Sequence, residues 1–266
     1  MRKLVLTALL PGLMMLAAPA RATMLTATFH GHVVSGAIDQ ASFGLAAGTS
    51  VVGLAYTATY TIDDSLGSLN TDTADSTGLV GGYQLAPLGS FASPADGSLE
   101  LNGISQAFPG LYLGDVSKYY LPASPFSNYS AGVETLADTA LGQVDLQLSQ
   151  SIVVDSAMFA STDFRDTGSY TAIIEDPSLD PAYAYVFAQS YAIATLILDP
   201  DGDPVPGSPD LYALGLQPDS LTITEAGSAV PEAPIWSMLL IGFAAIGSAI
   251  RGGNLAHANR RFARGI

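Results

Sequence analysis

At 266 residues, 48% of them apolar and none of them cysteine, the chain is long enough to bury a sizeable core and excludes disulfides, thiolate metal sites and cysteine nucleophiles. Its cations are segregated: Arg2, Lys3 and Arg21 open the chain, Arg251, Arg260, Arg261 and Arg264 close it, and only Lys118 and Arg165 lie between. Those two stand against 23 acids, a net charge of −21 for the central part, which disfavours nucleic acid as a partner because phosphate backbones are repelled.

Residues 1–22 read as a secretory signal peptide. Arg2 and Lys3 form the basic start and Leu4 to Leu16 the apolar stretch, while Ala20 and Ala22 supply the small residues that signal peptidase needs for cleavage before Thr23. The Pro11-Gly12 pair inside so short a run argues against a buried helix.

From residue 23 to residue 228 the pattern predicts a single antiparallel β-sandwich or jelly-roll-like domain. In "TATFHGHVV", His30 and His32 share a strand face with Thr26 and Thr28, opposite Ala27, Phe29 and Val33; two imidazoles so placed are candidates for a metal or a proton. In "VVGLAYTATYTID", Val52, Leu54, Tyr56, Ala58, Tyr60 and Ile62 alternate with Gly53, Ala55 and three threonines, the period of a half-buried strand. "NTDTADSTG", with Asp72 and Asp75, reads as a polar loop.

Further on, Leu111 to Gly132 gathers aromatics in a Pro/Ser-rich stretch expected to be irregular. Tyr112, Tyr119, Tyr120, Phe126 and Tyr129 are candidates for stacking on sugar rings, with Lys118 beside them. "GQVDLQLSQSIVVD" alternates again, with Val144, Leu146, Leu148, Ile152 and Val154 on the apolar side. "AYAYVFAQSYAIATLILD" is apolar on both faces, as a central strand is, and Asp219 to Gly227 reads as a short last strand. Between those two lies "DPDGDPVPGSPD". Asp199, Asp201, Asp203 and Asp210 fall at positions 1, 3, 5 and 12, the oxygen-ligand spacing of a calcium loop, although Pro204 occupies the position where such loops carry Gly.

Catalytic signatures are missing: there is no Gly-x-Ser-x-Gly elbow, His-Glu-x-x-His, P-loop or dinucleotide glycine pattern. The glutamates Glu100, Glu134, Glu175 and Glu225 leave a carboxylate-pair glycoside hydrolase as one alternative. No catalytic residue is assigned, and the expected function is non-enzymatic.

The segment 229–251 is of another kind. Ile235 to Ile250 carries no charge and spans roughly 24 Å as a helix at about 1.5 Å per residue, against a hydrocarbon core of about 30 Å. The arginines after it predict that the tail 252–266 stays on the cytoplasmic side and the acidic domain lies outside. Pro231-Glu232, Trp236, Gly242-Phe243, Gly247 and Arg251 resemble the PEP-CTERM sorting signal of Gram-negative exporters, with Ala233 at the second proline of the box and Pro234 displaced by one. The opening "GHVVSGAIDQASFG" is also similar to the start of many proteins in that group. The resemblance implies a transient inner-membrane anchor, processing by an exosortase, and a cell-surface or extracellular fate linked to exopolysaccharide and biofilm matrix. A calcium-assisted carbohydrate-binding module is the other alternative, motivated by the acidic loop and the tyrosines.

Overall fold

The computed structural model describes residues 23–73, 75–82, 92–120, 126–173, 190–207 and 209–226. The expected signal peptide, the sorting segment and the basic tail lie outside these residues. Thirteen strands follow in chain order: β1 (Met24–Ile38), β2 (Thr49–Ser50), β3 (Ala55–Asp63), β4 (Ser68–Thr73), β5 (Ser76–Gly81), β6 (Ala95–Leu101), β7 (Ile104–Phe108), β8 (Leu113–Tyr119), β9 (Phe126–Thr139), β10 (Gly142–Asp155), β11 (Gly168–Thr171), β12 (Ser190–Leu198) and β13 (Asp210–Glu225). A single 3₁₀ turn, Ser156–Met158, is the one helical element among the described residues.

Among the described residues all pairings are antiparallel and form one sheet in the order β4-β5-β8-β9-β10-β12-β13-β1-β3-β6-β7, with β2 on β1 and β11 on β13. The all-β, antiparallel expectation is met. In place of two separate sheets, one hydrogen-bonded sheet curls into a half-barrel, and its two halves face each other across the core. Phe29 of β1 meets Tyr60 edge-on at 5.8 Å and Tyr129 of β9 at 6.3 Å. The Tyr60 hydroxyl donates to the Leu148 carbonyl of β10 at 3.2 Å. Gly97 of β6 sits so close beneath β9 and β10 that an added Cβ would come within 2.7 Å of Val133 Cγ2, so the halves approach where one carries no side chain.

The strands follow the alternation of their sequences. On β3 the inward residues are Tyr56, Ala58, Tyr60 and Ile62; on β10 they are Val144, Leu146, Leu148, Ile152 and Val154. Burying one such side chain contributes about 1.5–3 kcal/mol, which is why register on these strands is firmly specified. β10 also places Gln150 inward and fully buried, with its Oε1 accepting from the Tyr56 hydroxyl at 2.7 Å.

Four stretches differ from the sequence expectation. β3 starts at Ala55, so Val52, expected on its apolar face, lies exposed in a turn before it and Leu54 also precedes the strand. Leu111 to Gly132 contributes β8 and the start of β9 rather than an irregular segment, because Lys118 occupies an inward strand position and disguises the alternation. Of the stretch 70–78, expected as a polar loop, residues 70–73 belong to β4 and residues 76–78 to β5, which pair as a hairpin. The last strand begins at Asp210, not Asp219, and runs 16 residues. Its inward set changes phase, from Tyr212, Leu214, Leu216 and Pro218 to Leu221 and Ile223. A bulge at Asp219 between the pairs Gly31↔Pro218 and His30↔Ser220 absorbs that change.

Candidate functional site

The bulge matters because of what it aims. β1 turns His30 and His32 outward, as their alternation with Phe29 and Val33 requires, and β13 delivers Asp219 beside them. His32 Nδ1 lies 3.2 Å from Asp219 Oδ2, and His30 Nδ1 lies 3.1 Å from Thr57 Oγ1 on β3. Thr57 is paired in turn with Glu100 on β6, so β13, β1, β3 and β6 contribute successive polar groups to one outer surface. His30, Tyr56, Thr57, Glu100, Asn102 and Asp219 line an open cleft of ≈ 400 Å³ there. Gly31 makes the close approach possible, since any Cβ at that position would collide with the Gln217 carbonyl oxygen of β13. The cleft offers imidazole and carboxylate hydrogen-bonding groups to a polar ligand. Among the described residues no three His, Asp or Glu side chains are grouped as metal ligands. Asp219 is a member that sequence reading missed: it lies 187 residues from His32, and only the sheet order brings the two together.

The aspartates of the expected calcium loop are placed otherwise. Asp199 Oδ1 accepts from the backbone N–H groups of Asp201 and Asp203 at 3.0 and 2.9 Å, and Asp199 N–H donates to the Asp203 carbonyl at 2.9 Å. These are the bonds of a turn closing the β12–β13 connection, in which one carboxylate serves its own backbone. Asp210 is already on β13, where its Oδ1 accepts from Thr195 Oγ1 of β12 at 2.7 Å. Asp199 and Asp210 are thus engaged in separate bonds, and among the described residues these aspartates are not grouped as metal ligands.

The tyrosine platform is corrected at Tyr129. Tyr129 is fully buried against Phe29, so its ring is core and presents no surface for a sugar. Tyr119 and Tyr120 are half-buried, and Tyr120 packs against the core while its N–H donates to the Asp75 carbonyl. Lys118, next to them, is fully buried. Its Nζ bonds Asp166 Oδ2 at 2.8 Å and the Asp163 carbonyl at 3.1 Å, and stands 4.4 Å from the centre of the Phe159 ring. The segment's cation is a fastener for residues 156–167.

On β9 and β10 the carboxylates of Glu134 and Asp145 are close enough for one charge to act on the other. Burial pushes the Asp115 carboxyl up to about 6. Burial, then the charge of Asp145, raises Glu134; burial raises Asp145, opposed by a hydrogen bond from Gln147. Glu100 belongs to the histidine cleft and Glu225 ends β13, so the glutamates of the hydrolase alternative are dispersed, with Glu175 outside the described residues.

Compared with known proteins, the chain matches no family model, no curated protein and no solved structure.

Proposed function

We propose that this chain is an exported bacterial surface or extracellular-matrix protein. Signal peptidase removes residues 1–22, the segment 229–251 anchors the protein briefly in the inner membrane, and an exosortase processes it near Pro231-Glu232. The β body, a sandwich-like pair of layers made from the two halves of the curled sheet, is then left at the surface among exopolysaccharide. The basis of the reading is the sequence of the two ends: a basic, apolar, small-residue start, and an uncharged run followed by arginines.

One observation from the fold supports it. Thr23 and Ala226, the ends of the β body, lie side by side on adjacent strands, with Ala226 N–H donating to the Met24 carbonyl at 2.8 Å and Leu25 paired with Glu225. A body carrying membrane-directed segments at both ends needs both attachments on one side, and neighbouring ends of β1 and β13 satisfy that need.

Expression of the full chain in a bacterium carrying an exosortase, beside a version ending at Ser228, tests the proposal. The full chain is expected first in the inner-membrane fraction and then as a shorter surface or released product. Identical location and identical product size for the two versions would refute it.

A further inference from the structure

Asp64 follows β3 directly and is held in a corner where three segments meet. Its Oδ1 accepts from the backbone nitrogen of Thr23 at 2.6 Å, and its Oδ2 accepts from Arg165 Nε at 2.8 Å. Its own N–H donates back to the Thr23 carbonyl at 3.2 Å. The side chain is only 12% exposed, so both carboxylate oxygens are committed within the fold. A buried carboxylate with one guanidinium on one oxygen and a single neutral amide on the other is only half compensated. The neutral partner is the nitrogen that signal peptidase would release.

We infer that Asp64 is the receiving site for the mature amino terminus. This rests on the proposed cleavage before Thr23. Hydrolysis of the Ala22–Thr23 peptide bond adds water across it, leaving a carboxylate on Ala22 and an α-ammonium on Thr23. The nitrogen already 2.6 Å from Asp64 then changes from a neutral one-proton donor to a cation with three N–H groups. Asp64 becomes flanked by two cations, Arg165 and the new terminus, in a body otherwise crowded with acids. Among the described residues, the charged groups around the terminus are Asp63 and Asp64 at the end of β3, Arg165 with Asp163 beside it, and Glu225 on β13. Four carboxylates against one guanidinium favour the charged form of the amine. Processing thus completes the corner that joins β1, β3 and residues 163–165, and the mature protein holds its first strand more firmly than the precursor does.

The test uses the exported, processed protein and two readouts. Mass spectrometry of its N-terminal peptide establishes whether the chain starts at Thr23; a different start would refute the cleavage reading and with it the receiving site. For protein starting at Thr23, labelling of the α-amine by an acylating reagent at pH 7.5 is compared with the same protein in urea and with Asp64→Asn and Arg165→Gln. Only a neutral amine reacts, so docking is expected to slow labelling of the folded protein by about fivefold or more relative to the unfolded chain. Asp64→Asn is expected to abolish most of that protection. Arg165→Gln, which loosens the same loop but leaves the Asp64 carboxylate, is expected to retain it. Circular dichroism of both variants reports whether the sheet persists. A Thr23 α-amine that labels equally fast folded and unfolded would overturn the docking while leaving the cleavage intact. Equal loss of protection in both variants would overturn it too, since a loosened loop would then be the cause.

Discussion

The fully buried Lys118 offers a sharp test of how this acidic body is held together. Lys118→Met keeps the apolar stem that fills the space beside Phe159 and removes the ammonium. Two charge-assisted bonds disappear, to Asp166 Oδ2 at 2.8 Å and to the Asp163 carbonyl at 3.1 Å. Bonds of this kind contribute about 1.5–3 kcal/mol each, but the cost of burying the ammonium disappears with them. Asp166 is 30% exposed and can rehydrate, whereas Lys118 is 0% exposed and cannot. The expected loss for Lys118→Met is therefore about 2 kcal/mol, while Asp166→Ala, which strands a buried ammonium, is expected to cost more, about 3–4 kcal/mol. Combining the two changes should cost less than their sum, because the second removes a charge that the first left alone. Urea titration of the processed protein, followed by tyrosine fluorescence, measures all three. If Asp166→Ala proves milder than Lys118→Met, or the double variant is simply additive, the ion pair is not what fastens residues 156–167 to β8.

Burial raises the Asp115 carboxyl to about 6, so the folded state holds a proton that the unfolded chain releases near pH 3.8; its contribution is present below that value and is lost as pH climbs towards 6, by about 3 kcal/mol in all. Asp115→Asn should remove this component, and stability–pH profiles running parallel in variant and wild type would refute it. Tyr56→Phe strands the buried Gln150 Oε1 and is expected to cost about 1–2 kcal/mol, largely recovered by adding Gln150→Leu; chemical denaturation at pH 7 decides, and no recovery in the double variant counts against the bond. Millimolar calcium is expected to leave the melting temperature of the processed protein unchanged, since Asp199 is committed to its own turn and Asp210 to Thr195; a rise reversed by chelator would show that the aspartates gather.

Where the alternation was clean, the sequence was a sufficient guide. β10 spans Gly142–Asp155, the same stretch as the expected strand, and on β3 Tyr56, Ala58, Tyr60 and Ile62 face inward as their period requires. Reading failed where a polar side chain took an inward place. Lys118 on β8 is fully buried, and its ammonium is satisfied by Asp163 and Asp166, both more than 40 residues away, which no local pattern reveals. The last strand was expected from Asp219, whereas β13 starts at Asp210 and runs through Pro218, its phase changing at the register break beside Asp219. The candidate cleft was half legible, since the outward histidines follow from strand period, but the arrival of Asp219 and Glu100 depends on which strands become neighbours.

By itself, then, the chain determined its all-β character, which faces of its cleanly alternating strands are apolar, the acidic character of its body and the contrasting chemistry of its two ends, because each of these is set by neighbouring residues. Only the tertiary structure decided that the strands join in one curled sheet, that Tyr129 is core, that the acidic loop is a turn, and that Thr23, Asp64, Arg165 and Ala226 cluster at one corner. Antiparallel pairing joins segments far apart in the chain, and the free energy selecting those partners comes from burial and hydrogen bonding across the whole sheet.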